Sequence, residues 1–383
     1  MQLSQYLKIY PWEEEPGKRL LFSTKNASKV LVSHEALRSM ERGDPSGADG
    51  AMLSKLGMLV EDREAEKRAM RGFFDGINGH NPVFNLMVTV NLDCNFACVY
   101  CYEGDMKGRL YMSEGTAGQL IRFIEKNFSR QHTALLIDFY GGEPLLSLGL
   151  IKSVSRTLKA FTESRGATYG FTLITNGSLF GRKTAEALAP LGLKSVQITL
   201  DGPEENHNQY RPFKSGAGSF DLIIRNIQES LDLVDINIGG NFEKHNYETF
   251  VRLLDHLEKA GLTPDKLSTI KFSPVMKAPG GTPGAYKGGC LSIHEPWIVE
   301  AEAYLRGEIL RRGYKAQKAR PIACTVEVRD AYVVNFDGVI YKCPGFIGQK
   351  GYEVGTLQDG IREYDKTYAL DPVSYTHLRA HET

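Results

Sequence analysis

Between Pro82 and about Pro274 the chain alternates between two kinds of segment, and that alternation limits the folds open to it. Apolar stretches of strand length recur at Phe84–Leu92, Ala134–Tyr140, Tyr169–Thr175, Ser195–Leu200, Asp235–Asn241 and Thr269–Ser273. Amphipathic stretches lie between them, at Leu148–Glu163, Lys183–Leu191, Ser219–Leu231 and Tyr247–Ala260. Another opens at Ser113, a residue suited to an N-cap, with helical apolar spacing from Leu120. Strands joined by helical crossovers run parallel. The expected fold is therefore α/β, with six strand–helix units, two short of a closed eightfold barrel.

Composition narrows the class. With 42% hydrophobic and 24% charged residues the chain can bury an ordinary core. Its 46 basic and 46 acidic residues cancel, so no strong field draws it to nucleic acid or an anionic membrane. No apolar run is long enough to span a bilayer, and the start, Met1 to Tyr10, lacks the apolar core of a secretion signal. These features lead us to expect a cytoplasmic protein with neither a nucleic-acid nor a membrane partner.

The chemistry opens on Cys94, Cys98 and Cys101. Three thiolates so spaced can hold three irons of a cubane cluster and leave the fourth iron without a protein ligand. A structural metal site is normally closed by four ligands, whereas an open position marks a reaction site. A zinc knuckle would need a fourth Cys or His, and none besides these cysteines lies between His80 and His132. A disulfide framework does not suit six cysteines in 383 residues.

The triplet, with Tyr100 just before its last cysteine, resembles the signature of the radical S-adenosylmethionine enzymes. Gly141-Gly142-Glu143-Pro144 follows one strand–helix unit later, where that family has its motif for the amino group of the cofactor. The segment Thr199-Leu200-Asp201-Gly202-Pro203, then His207 and Arg211, matches the pattern further on. The resemblance implies a partial (β/α)6 barrel, a [4Fe–4S] cluster on the three cysteines, and S-adenosylmethionine chelated to the open iron. It also implies that Gly142 and Glu143 meet the cofactor's amino group, that Thr199 and Arg211 approach its carboxylate, and that Tyr100 contacts the adenine through its backbone. One-electron cleavage would then yield a 5′-deoxyadenosyl radical, with flavodoxin or ferredoxin as the expected electron donor. His207 reads as a structural hydrogen-bonder, since most buried histidines satisfy partners.

Around the barrel, residues 1–80 read as a small α+β block: strands at Leu20–Phe22 and Lys29–Ser33, helices at Glu35–Arg42 and Ala51–Leu56, and a strand from Met58. It resembles the winged-helix domains that hold leader peptides in peptide-modifying enzymes. A structural cap reads equally well. After the barrel region, residues 82–275, the third block runs over 276–372. There Val275–Gly289 is a Gly- and Pro-rich loop, and a helix at Ile293–Arg312 follows. Cys324 and Cys343 then bracket an Asp337-Gly338 hairpin. This block resembles the start of a SPASM domain, which carries auxiliary clusters in peptide-modifying radical enzymes. Cys290, Cys324 and Cys343 are the candidate auxiliary ligands, too few for a four-thiolate site. Buried thiols, or a zinc hairpin, remain alternatives. Residues 373–383 resemble translated sequencing adapter and are set aside, so the SPASM block is expected to be cut short.

The resulting expectation is a peptide maturase, closest in character to the geopeptide type, acting on a ribosomally made precursor. Two alternatives are an anaerobic sulfatase maturase and an inactive peptide-binding homologue. Pro344 stands where the sulfatase maturase has an Asp as base, and a proline accepts no proton. The intact triplet and Gly-Gly-Glu-Pro speak against the inactive homologue.

Overall fold

The computed structural model describes residues 1–12, 14–44, 47–79, 81–101, 103–275, 295–316 and 328–362. The described residues divide into two units, one formed by those of 1–81 with 328–329, the other by those of 82–316 with 330–362.

In the N-terminal unit, β1 (Gln2–Leu3) pairs antiparallel with β5 (Leu59–Val60). Strands β2 (Leu7–Pro11), β3 (Lys18–Ser23) and β4 (Lys29–Ser33) form an antiparallel sheet. Helix α1 (His34–Glu41) starts where the Ser33 hydroxyl accepts the Ala36 N–H. It is followed by α2 (Gly47–Lys55) and α3 (Arg63–Gly79). Leu21, Val32, Met40, Leu53, Met58 and Leu59 make the core of this unit. Glu66, buried on α3, is satisfied by the Ser4 hydroxyl and by Lys25, each at 2.6 Å. The sequence reading missed β2 and α3. The last three residues of β2 are exposed, so it has no buried face to show as alternation. Gly72 and Gly76 break the helical pattern of α3.

The second unit has the α/β fold that the alternation predicts. Strands β6 (Val83–Asn91), β7 (Ala134–Gly141), β8 (Thr168–Thr175), β9 (Leu193–Thr199), β10 (Asp235–Phe242) and β11 (Thr269–Pro274) pair in parallel, in sequence order. Helices α4 (Glu114–Asn127), α5 (Leu148–Ser164), α6 (Arg182–Leu188), α7 (Glu204–Tyr210), α8 (Phe220–Ser230) and α9 (Phe250–Lys259) fall in the crossovers. One face of each strand is packed against them: Phe84, Ile137, Phe171, Val196 and Ile238 are at most 1% exposed. Transferring such side chains from water contributes about 1.5–3 kcal/mol each. The other face, with Asn85, Asp138, Thr172, Gln197 and Asn237, is polar and partly exposed.

Helix α10 (Pro296–Arg311) leads into the last block. Strand β12 (Ala331–Val334) lies parallel to β6 and antiparallel to β13 (Val339–Tyr341). The expected turn joins them, with Gly338 at φ +87°. The hairpin thus continues the barrel sheet beyond β6, followed by β14 (Gly355–Thr356) and β15 (Gly360–Ile361). Cys290, Cys324 and the adapter-like segment lie outside the described residues. Among the described residues, no helix is long and apolar enough to cross a membrane.

Candidate active site

The chain segments leaving β6, β7, β8, β9 and β10 meet at the carboxyl end of the sheet, where ligands of parallel α/β folds bind. They surround a cavity of about 300 Å³ whose lining includes Cys94, Cys98, Cys101, Glu103, Lys107 and Arg211. The structure therefore brings the whole cysteine triplet to one cavity.

The cysteine loop is built by close backbone approach. Gly142 and Glu143 donate N–H bonds to the carbonyls of Asn91 (3.1 Å) and Asp93 (2.7 Å). A Cβ on Gly141 would stand 2.2 Å from the Asn91 oxygen, and one on Gly142 2.1 Å from the Asp93 oxygen. The sequence reading assigned these glycines to the approach of a ligand. The structure shows that they also let the end of β7 touch the residues leading into Cys94. Further along, Ala97 and Val99 donate to the carbonyls of Pro212 (2.9 Å) and Tyr210 (3.1 Å), tying the loop to the end of α7.

Each thiol has its own surroundings. Cys94 is buried, and its sulfur receives the Phe96 N–H at 3.4 Å and Asn176 Nδ2 at 3.8 Å. Burial pushes its thiol up to about 11. Burial also raises Cys98, opposed by Arg211 and Lys107. Such groups are held as thiols until a bound metal draws off their protons. Burial acts against the charge of Lys107, but the neighbouring Cys101, Cys94 and Cys98 raise it above its ordinary value. Among the described residues, no three His, Cys, Asp or Glu side chains gather tightly enough to share a single metal ion. Thiolates that ligate three separate irons of one cluster do not need to.

The resemblance sets Glu143 at the cofactor's amino group; in the structure its side chain is fully buried and is not among the residues that line the cavity. Its oxygens accept from the Thr175 hydroxyl (2.8 and 2.9 Å), the Asn176 N–H (2.9 Å) and the Leu145 N–H (3.0 Å). It ties the end of β7 to the end of β8. Of the motif, it is Gly141 and Gly142 that face the cavity.

Tyr100, Thr199 and Arg211 all line the cavity. The Tyr100 hydroxyl donates to Asp201 Oδ2 and receives Arg211 Nη1 (2.7 Å) and Asn241 Nδ2 (3.0 Å). Asp201 also accepts the Asn241 backbone N–H at 2.7 Å. This net fixes Arg211, whose Nε is buried without a protein partner among the described residues. His207 is fully buried, with its Nδ1 accepting the Asp201 N–H (3.2 Å) and its Nε2 3.0 Å from the Ser219 hydroxyl, as a structural histidine would be. Burial pushes it well below the usual imidazole value.

Glu103, Lys107, Asn241 and Gln197 also line the cavity, and the sequence reading did not assign them. Nearness to the triplet was the available signal for the first two. Burial pushes the Glu103 carboxyl up to about 7 against the opposing pull of Lys107. Cys343 begins the tight turn Pro344–Phe346 after β13 and is not among the residues that line the cavity.

Comparison with known proteins matches residues 88–257 to the Radical SAM superfamily. A probable GTP 3′,8-cyclase of Methanopyrus kandleri is 27% identical over 303 residues, covering 75% of this chain and 92% of that protein. The chain spans 43% and 39% of the length of two further curated relatives. Among solved structures, anSMEcpe with bound AdoMet and a Kp18Cys peptide superposes with a TM-score of 0.62 at 18% identity, covering 77% of this chain and 84% of that one. SuiB of Streptococcus suis gives a TM-score of 0.53 at 14% identity, covering 99% and 90%, and it has also been solved bound to the precursor peptide SuiA. At these identities the likeness speaks for the fold. Residues 88–257, which match that family, hold the parallel sheet and the three cysteines that line one cavity, and this unit has the radical SAM fold.

Proposed function

We propose that this chain uses an iron–sulfur cluster and S-adenosylmethionine to modify a ribosomally made peptide. The observation that carries the reading is the single cavity shared by Cys94, Cys98, Cys101, Lys107, Glu103 and Arg211. This donor set fits the two groups. Three soft thiol ligands suit three irons, and the buried, unpartnered Arg211 Nε and Glu103 Oε1 are unmet needs that a polar ligand answers.

When bound, the two groups supply one-electron reduction of the sulfonium and hydrogen-atom abstraction from substrate. Cys94, Cys98 and Cys101 would hold the cluster. Arg211, fixed by Tyr100 and Asp201, would meet a carboxylate with its guanidinium. Thr199 would add a hydroxyl, and the Gly141–Gly142 backbone would form a close-fitting wall. Asn176 would direct its amide at the Cys94 sulfur. A flavodoxin or ferredoxin would serve as electron donor.

Two things favour a peptide as substrate. The likeness to SuiB, an enzyme solved with its precursor peptide, extends over the N-terminal unit as well as the barrel. The block around Cys343 also carries the cysteine-flanked Asp-Gly hairpin of the SPASM type. Cys343, with Cys290 and Cys324, would be available to an auxiliary cluster. The test is anaerobic reconstitution, followed by reduction with S-adenosylmethionine and either a short peptide encoded beside this chain or GTP. We expect 5′-deoxyadenosine to form and the peptide mass to change while GTP is untouched. Consumption of GTP with an unaltered peptide would replace this reading with a nucleotide cyclase.

A further inference from the structure

We propose that Lys107 raises the reduction potential of the cluster on Cys94, Cys98 and Cys101, its ammonium standing beside the Cys101 sulfur as a fixed positive charge. The inference rests on the function proposed above, and it gives a role to a residue of that site which so far has none.

The backbone brings Lys107 back to the cysteines. Gly104 donates its N–H to the Cys101 carbonyl (3.0 Å) and Met106 to that of Glu103 (2.9 Å), which closes the short turn Gly104–Met106. Lys107 follows in extended conformation, and Gly108 then donates to the Leu92 carbonyl (3.2 Å). Leu92 ends the approach to the cysteine loop. The lysine is therefore held beside that loop from both of its own flanks.

The side chain goes where lysines rarely go. Most are fully solvated, but this one is half-buried, lines the cavity with all three cysteines and hydrogen-bonds Cys101. Burial works against its charge, and the sulfurs of Cys101, Cys94 and Cys98 outweigh that opposition. Arg211, the other cation of the lining, is differently placed: it donates to the Tyr100 hydroxyl at 2.7 Å and lies 3.9 Å from the Asp201 carboxylate.

Reduction adds one negative charge to a centre that three thiolates already make anionic. A cation held against one of those sulfurs stabilises the reduced form more than the oxidised form, and within a walled cavity the effect is screened less than in water. Glu103 lies in the same wall and subtracts a constant part of this field, so the effect of Lys107 is read as a difference between variants.

Three substitutions change the charge at this one place. Lys107→Arg keeps it, Lys107→Met removes it with a side chain of similar length, and Lys107→Glu reverses it. Each reconstituted protein is titrated redox-wise under EPR without S-adenosylmethionine, so that cofactor affinity does not enter. At the wild-type midpoint, Lys107→Met should show a reduced-to-oxidised ratio about tenfold lower, a midpoint lower by about 60 mV. Lys107→Glu should fall further, and Lys107→Arg should stay within about twofold of wild type by the same relation. Iron content and melting temperature should match wild type for the arginine and methionine variants.

Equal potentials across the series, or an order that does not follow charge, would overturn the inference. So would a methionine variant that no longer takes up iron, since the lysine would then be building the loop. Weakened S-adenosylmethionine binding with an unchanged potential would also overturn it, because the ammonium would then serve the cofactor. If wild type assembles no cluster that responds to S-adenosylmethionine, the proposed function falls and this inference with it. If wild type does so and the potentials do not differ, only the inference falls.

Discussion

Asn176 Nδ2, at the end of β8, lies 3.8 Å from Cys94 Sγ, on the loop that follows β6. The same amide nitrogen donates to Asn95 Oδ1 at 2.8 Å, and Asn176 Oδ1 accepts the Ser178 N–H and hydroxyl, so the side chain is locked in place. Hydrogen bonds to cluster sulfurs raise the reduction potential. Asn176→Asp keeps the shape and replaces the donor with an acceptor. The reconstituted variant should show a cluster potential lower by about 60 mV, the one-electron equivalent of about 1.4 kcal/mol. EPR-monitored redox titration reads it, and an unchanged potential would show that the amide does not act on the sulfur.

Gly142→Ala should be among the most damaging single-methyl additions to the site. The new Cβ would stand 2.1 Å from the Asp93 oxygen and 2.6 Å from its carbonyl carbon, both backbone atoms that cannot swing aside. Asp93 directly precedes Cys94, so relief must come through the cysteine loop. We expect a stability loss of about 1–3 kcal/mol by denaturant unfolding, with reduced iron uptake. Wild-type stability would mean that the loop accommodates the methyl group.

Glu143→Ala separates anchoring from ligand contact. It leaves the Leu145 and Asn176 N–H groups and the Thr175 hydroxyl without their buried acceptor. The expected cost is at least about 1–3 kcal/mol, the penalty for an unsatisfied buried group. A variant with wild-type stability and weakened S-adenosylmethionine binding would show instead that the carboxylate reaches the ligand.

His207 makes the fold sensitive to acid. Burial holds it neutral well below pH 6.5 in the folded chain, while the unfolded chain protonates near that value. The unfolded state therefore binds more protons as pH falls through 6.5, and stability drops from there downward. His207→Gln keeps hydrogen-bonding capacity without the titration. Its stability between pH 7 and 5 should fall less steeply than that of wild type. Parallel profiles would assign the acid sensitivity to other groups.

Much of the second unit was legible because burial there is one-sided and periodic. The starts of β7, β10 and β11 coincide with the apolar segments read from sequence, and Ser113 caps α4 as its residue type suggests. The Asp337-Gly338 turn was readable from its two residues. That β12 would lie parallel to β6 was not, since strand partners are chosen by tertiary packing that leaves no local mark. The same holds within the site. The triplet and the glycine motif stand out as types at fixed spacing, but the direction of the Glu143 carboxylate depends on Thr175 and Asn176, more than 30 positions away. Glu103 and Lys107 belong to residue types that are usually solvated, and only the folded chain shows them in the cavity wall.

The central claim is that Cys94, Cys98 and Cys101 hold a catalytic cluster that acts on S-adenosylmethionine. The most direct measurement compares wild type with Cys98→Ala after anaerobic reconstitution and reduction, following the EPR signal with and without S-adenosylmethionine, and 5′-deoxyadenosine by chromatography. The account predicts that wild type gives a reduced-cluster signal that S-adenosylmethionine alters, and forms 5′-deoxyadenosine. The variant should give neither. Undiminished 5′-deoxyadenosine from Cys98→Ala would contradict it.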